Sequence, residues 1–291
     1  MKKILTKKNN YFKKLFLFFE SLLKSILATL KQPVFLIFPL LLILLFYIPN
    51  ESVKFILKLN VSKPEIWQFF TSSFVHENVN HLFTNLKYYF LVIFILGFIF
   101  YRLKQSKFLS NLFFLILLSY WIIEIIFFLI IKFNSNAPII SSGSSGIVFS
   151  LFGVFFSSLI YSASIEQKQN FMKFNLFNLV ISSILLIIYY SYNLYQNNYL
   201  DFSVLSFFII LSFIFFLFLI IFIKFYNKEV YKIRNILIIS LAFHFIIFLV
   251  FFPSIENALD LGINYSSHFI GFLLGLLISG IYLNKLLKKY R

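Results

Sequence analysis

The polar side chains most informative about chemistry fall into three short clusters. The first is Trp67-Gln68-Phe69-Phe70-Thr71-Ser72-Ser73-Phe74-Val75-His76, followed by His81 and Asn85. On a helix, residues 81 and 85 share one face, because positions four apart stack above one another. The second is Ser141-Ser142-Gly143-Ser144-Ser145-Gly146, which runs into the apolar Ile147-Val148-Phe149. A helix beginning there would present unpaired N–H groups, which can stabilise a developing oxyanion. Ser145 is placed to be a nucleophile beside them. The third is Ser266-Ser267-His268-Phe269-Ile270-Gly271, with Gly275 and Ser279 beyond. His268, Gly271 and Gly275 lie on one helical face, and small residues on such a face admit a neighbouring helix closely. Ser145, Phe149 and Gly153 form a matching face, so packing the two would bring His268 against Ser145. Each cluster alone has a plainer reading: helix-to-helix glue, a serine-rich turn with an N-cap, and a structural membrane histidine.

The elements that must carry these residues follow from composition. Of the 291 residues, 60% are hydrophobic, 22% aromatic and 12% charged. A soluble domain carries about a quarter charged residues, so lipid is the expected solvent. A membrane helix needs about 20 mostly apolar residues. Eight segments qualify: 33–49, 79–101, 108–132, 144–163, 174–192, 203–225, 235–252 and 266–284. The start does not resemble a cleavable signal peptide, because its apolar runs are interrupted by lysines. Phe12, Leu15, Phe16, Phe19, Leu22 and Leu23 recur at helical spacing there. That suits either a membrane-surface helix or a basic anchor that sets topology.

Lysine and arginine collect on the cytoplasmic side of membrane proteins. With residues 1–32 inside, 21 of the 26 basic residues fall in cytoplasmic segments, and outer loops 193–202 and 253–265 carry none. The net charge of +16 is thus mainly a topology signal and no sign of a nucleic-acid partner. In this arrangement both termini are cytoplasmic. Three spans separate the helix begun by Ser145 from the one bearing His268. Both therefore start outside, and His81 also lies near an outer end. All three clusters meet in the outer half of the membrane.

Other chemistries fit less well. With no cysteine, thiolate catalysis and disulfides are excluded. A zinc protease motif would need His-Glu-x-x-His. Here His76 and His81 are one residue too far apart, which on a helix turns them about 140° from each other. Asp201 and Asp260 lie in outer loops, where an intramembrane aspartyl pair could not form. Lys87 could serve a Ser–Lys dyad but suits snorkelling better. Glu124 and His244 lie within spans and read as a hydrogen-bonded structural pair, with a proton or ion path as the other option. A transporter would leave the shared depth of the three clusters unexplained.

Taken together, the clusters resemble the rhomboid family of intramembrane serine proteases. The family pattern of His, His five on and Asn four further on is matched by His76, His81 and Asn85. Its Gly-x-Ser-Gly is matched by Gly143-Ser144-Ser145-Gly146, and its His-x-x-Gly-x-x-x-Gly by His268, Gly271 and Gly275. The resemblance spans residues 33–163 and 235–284. It implies an all-α, polytopic transmembrane bundle with a six-helix core and about two additional helices. Residues 1–32 would be a basic arm, 33–286 the membrane protease domain, 174–225 an inserted hairpin and 287–291 a basic tail. It further implies Ser145 as nucleophile, His268 as general base and an oxyanion held by backbone, His81 and Asn85. His76 and Gly143 would support the site, and Phe149 would stand where the family often has a tyrosine on the imidazole. Gly271 and Gly275 would pack helices. No metal or cofactor is called for. Substrates would be single-span membrane proteins in a bacterial cell membrane. A catalytically silent relative that binds membrane helices is the alternative. Three departures stand out: Gln68 in place of an arginine, Phe100 in place of a glutamate, and Ser267 in place of an alanine. The first two put the support of the first loop in question.

Overall fold

The computed structural model describes residues 2–48, 50–60, 62–134, 140–141, 143–166 and 265–290. Eight helices lie within them. They are α1 (Lys2–Leu30), α2 (Val34–Phe46), α3 (Glu51–Leu57), α4 (Gln68–Thr71), α5 (Val79–Arg102), α6 (Ser106–Asn134), α7 (Ser145–Glu166) and α8 (Tyr265–Tyr290). A 3-10 turn, Ser72–Phe74, follows α4. Two-residue strands β1 (Leu59–Asn60) and β2 (Ile140–Ser141) pair antiparallel, Leu59 opposite Ser141 and Asn60 opposite Ile140. The chain is a helical bundle of an integral membrane protein.

Two described helices, Val79–Arg102 and Ser145–Ser162, are each long and apolar enough to cross a membrane. Residues 13–30 and 34–46 qualify as a pair bent by 65°. The bend falls at Lys31-Gln32-Pro33, where proline lacks an N–H and disfavours helical backbone before it. Shorter apolar helical stretches run over Ser106–Ile122 and Ile270–Leu286. Five of the eight expected spans thus fall on described helices. Those at 174–192, 203–225 and 235–252 lie outside the described residues, and so does the expected hairpin.

One apolar core joins α2, α5, α6, α7 and α8 through residues such as Phe38, Leu96, Phe113, Leu151 and Leu276. The opposite faces leave Leu40, Leu44, Phe114, Ile122 and Ile281 exposed. That is unremarkable where lipid is the solvent, since burial there gains nothing from water exclusion. Helix association must then come from packing and internal hydrogen bonds. The Tyr89 hydroxyl donates to the Phe35 carbonyl at 3.1 Å, tying α5 to α2. Helix α1 docks on α5 where Thr29 fills the space a Cβ on Gly97 would occupy.

The closest association is between α7 and α8. A Cβ on Gly275 would overlap the Ser150 carbonyl, one on Gly271 the Gly146 carbonyl, and one on Gly153 the Phe272 carbonyl. Backbone meets backbone at all three, so no side chain can be accommodated by a rotamer change. The face on α7 includes Ser150, which donates to the Gly146 carbonyl at 2.9 Å. This bond satisfies the hydroxyl within its own helix and lets a small polar residue sit in the seam.

Candidate active site

The site is assembled from the first loop, the start of α5, the start of α7 and the start of α8. Asn78 caps α5, its Oδ1 accepting from the His81 N–H at 2.8 Å. This fixes where α5 begins and so sets the depth of His81 and Asn85, both in its first two turns. The serine segment is held to the first loop twice through backbone. The β1–β2 pair is one tie. The other is the Gly143 N–H, which donates to the Ser72 carbonyl at 2.9 Å.

Gly143 has φ of +116°, a conformation that costs glycine little and other residues a great deal. A Cβ there would lie 2.7 Å from His81 Cε1. The glycine is needed both for the backbone turn and for the imidazole lying against it. His76 and His81 have ring centroids 5.1 Å apart.

His76 is buried, at 1% exposure. Its Nε2 lies 2.9 Å from Asn85 Nδ2 and 3.3 Å from Ser144 Oγ. An amide nitrogen can only donate, so Nε2 must accept and be unprotonated. Burial agrees: it pushes His76 down to about 3, with His81 lowering it further and a backbone bond to Phe74 opposing. A neutral His76 thus takes one N–H of the Asn85 carboxamide and leaves the other available.

Ser145 is the first residue of α7 and is 9% exposed; His268, in the first turn of α8, is 8% exposed. The Phe149 ring stacks on the His268 imidazole with centroids 4.4 Å apart and planes at 11°. Phe149 is one turn beyond Ser145, and Gly271 is one turn beyond His268 and against Gly146. The two helix starts are therefore juxtaposed. Lys87 is exposed and its Nζ lies 5.3 Å from the Tyr88 ring, away from this cluster. Among the described residues no three His, Cys, Asp or Glu side chains converge as a metal site would require.

Two features escaped the sequence reading. Ser150 belongs to the helix seam, and Tyr120 of α6 lies against Gly146. Tyr120 also donates to Glu124 Oε1. Glu124 thus bonds to its own helix, while His244 lies outside the described residues. The Tyr-x-x-x-Glu spacing was the available signal. Gln68 replaces a guanidinium with a carboxamide that still braces the first loop. Its Oε1 accepts from Asn60 N at 3.2 Å and Glu65 N at 3.1 Å, and its Nε2 donates to the Ile56 carbonyl at 3.0 Å. Phe100 is wholly buried and stacks with Phe108, so an apolar contact stands where the family often has a carboxylate.

Residues 63–203 match the Rhomboid domain family. This match supports membership of the rhomboid family, whose proteins act on membrane-protein substrates within the bilayer. No curated protein and no solved structure matches. The matched range includes His76, His81, Asn85, Gly143 and Ser145. His268 lies beyond it, so its relation to Ser145 rests on the packing of α8 against α7.

Proposed function

We propose that this protein is an intramembrane serine endopeptidase that cleaves single-span membrane proteins with a Ser145/His268 dyad. The observation that carries the reading is the stack of Phe149 on His268 across the glycine-lined α7–α8 seam. It fixes the imidazole plane at the helix start that bears Ser145.

In the first step His268 takes the Ser145 hydroxyl proton as Oγ bonds to the scissile carbonyl carbon. The carbonyl oxygen becomes an oxyanion beside the N-terminus of α7, where helix N–H groups are unpaired. His81 and the second N–H of Asn85 supply side-chain donors, oriented by Gly143 and His76 respectively. Collapse breaks the C–N bond, and His268 returns its proton to the leaving amine. Water, deprotonated by His268, then hydrolyses the acyl-enzyme and restores Ser145.

A continuous transmembrane helix hides its carbonyls in backbone hydrogen bonds. The substrate must unwind before Ser145 can reach one, and glycine, proline or small polar residues lower that cost. The reading therefore places cleavage at or just outside the outer boundary, after a small residue, with the outer domain released. Residues 1–32 and the tail face the cytoplasm, as the distribution of lysine and arginine requires. No cofactor is required.

The test is cleavage of a generic single-span substrate by the reconstituted protein. Ser145→Ala and His268→Ala should each abolish turnover while leaving the fold intact. Normal cleavage by either variant would refute the dyad. Loss of cleavage in the unmodified protein, with substrate still bound, would mark a silent family member.

A further inference from the structure

Buried carboxyl groups in a membrane bundle are costly to keep and need a reason. Glu124 is such a group. It is 4% exposed in the middle of α6, and its Oε2 has no hydrogen-bond partner among the described residues. Its Oε1 receives the Tyr120 hydroxyl one turn earlier on the helix. For packing alone, an apolar residue such as leucine would serve at this position. What the carboxyl does accomplish is to hold the Tyr120 ring in place.

That ring has a specific neighbour. A Cβ on Gly146 would overlap the Cε2 and hydroxyl of Tyr120. On its other side Gly146 meets α8, because a Cβ on Gly271 would overlap the Gly146 carbonyl. Gly146 is thus clamped between a tyrosine of α6 and a glycine of α8. It follows Ser145 directly, and Gly271 lies one turn from His268. The position of the Tyr120 ring therefore limits how far the start of α7 can move away from α8.

We infer that Tyr120 and Glu124 form a positioning pair for the hydrolysis. Glu124 locks the Tyr120 hydroxyl, and the ring presses the Ser145-Gly146 turn onto the helix that carries His268. Neither residue touches substrate. The inference rests on the protease reading for its kinetic consequence and on geometry alone for its structural one.

The experiment uses the full chain in liposomes with a single-span substrate. The variants are Tyr120→Phe, Glu124→Leu, Glu124→Gln and the double Tyr120→Phe/Glu124→Leu. A misplacement of about 1 Å can cost up to about 100-fold in rate, so Tyr120→Phe and Glu124→Leu should each lower kcat about 10- to 100-fold with KM little changed. The double variant should be no worse than the poorer single one, because the two residues act as a unit. Glu124→Gln should restore most of kcat, since its carboxamide oxygen still accepts from Tyr120. Unchanged kcat in Tyr120→Phe, losses that multiply, or a Glu124→Gln as impaired as Glu124→Leu would overturn the pairing.

A second measurement needs no activity. The chain has no cysteine, so Ser145→Cys and His268→Cys can be introduced together and joined with a short dithiol-reactive crosslinker. The yield should fall when Glu124→Leu is added and recover with Glu124→Gln. An equal yield in all three would refute the inference even if the protein proved to be a protease. Absence of turnover in the unmodified protein, with this yield pattern intact, would refute only the protease reading.

Discussion

At the scale of single residues, the site depends on which atoms are donors. Asn85 offers its free N–H only while His76 Nε2 stays unprotonated. His76 lies well below its ordinary value of 6.5, at about 3, chiefly through burial. Between those values the unfolded chain binds a proton that the folded chain does not, so stability rises with pH. The contribution is complete above pH 6.5 and is lost progressively as pH falls towards 3. Thermal inactivation midpoints of the purified protein should fall over that interval, and the fall should be shallower in His76→Gln. Equal slopes would show that His76 is not buried neutral. Phe149 makes a different contribution. Phe149→Ala should lower kcat by removing the ring that holds His268, whereas Phe149→Tyr should keep it, as measured by substrate turnover. His76 and Asn85 were legible in the sequence because their types are rare in membrane spans, whereas Phe149, one of 45 phenylalanines, was legible only by its place in the family pattern. Tyr120 and Ser150 were not, because their roles come from a neighbouring helix and not from spacing on their own.

At the scale of elements, two constructions position the site. The first loop is braced internally by Gln68, whose three hydrogen bonds to backbone take over the support that an arginine often gives in the family. Its partners Ile56, Asn60 and Glu65 are exposed or half-buried, so losing each bond should cost about 0.5–1.5 kcal/mol at most. Gln68→Ala should accordingly raise hydrogen exchange across residues 56–65 and lower the melting temperature; unchanged exchange would show that the loop stands without it. The second construction is the α7–α8 seam. Overpacking a close contact costs typically about 1–3 kcal/mol, and at Gly275 the obstacle is the Ser150 backbone. Gly275→Ala should therefore destabilise the protein and slow turnover, whereas Ala at the exposed Leu277 should do neither. Thermal shift and cleavage assays together distinguish these outcomes. The glycine face of α8 could be read from spacings of three and four. The matching face of α7 was less legible, since Ser150 joins Gly153 in the seam. The bend between α1 and α2 was signalled by Pro33. The docking of α1 through Thr29 on Gly97 was not, because hydropathy reports exposure to lipid and not a partner.

At the scale of the whole molecule, a polytopic helical bundle was legible from the low charged fraction of 12% together with eight long apolar segments. The rhomboid resemblance was legible in the order of the clusters, since the three motifs recur together at matching helix ends. Orientation remains a matter of charge distribution. Reporter fusions at the C-terminal tail and in loop 193–202 should report opposite sides of the membrane, the tail cytoplasmic. An external tail would break the parity that places Ser145 and His268 at one face. The central claim, that Ser145 is a nucleophile activated inside the membrane, has one direct measurement. A fluorophosphonate probe is incubated with the reconstituted protein, and the labelled residue is identified by peptide mass spectrometry. The result predicted is a single adduct on Ser145, lost in Ser145→Ala and strongly diminished in His268→Ala. Labelling that persists in Ser145→Ala, or an unlabelled Ser145 in protein that cleaves its substrate, would contradict it.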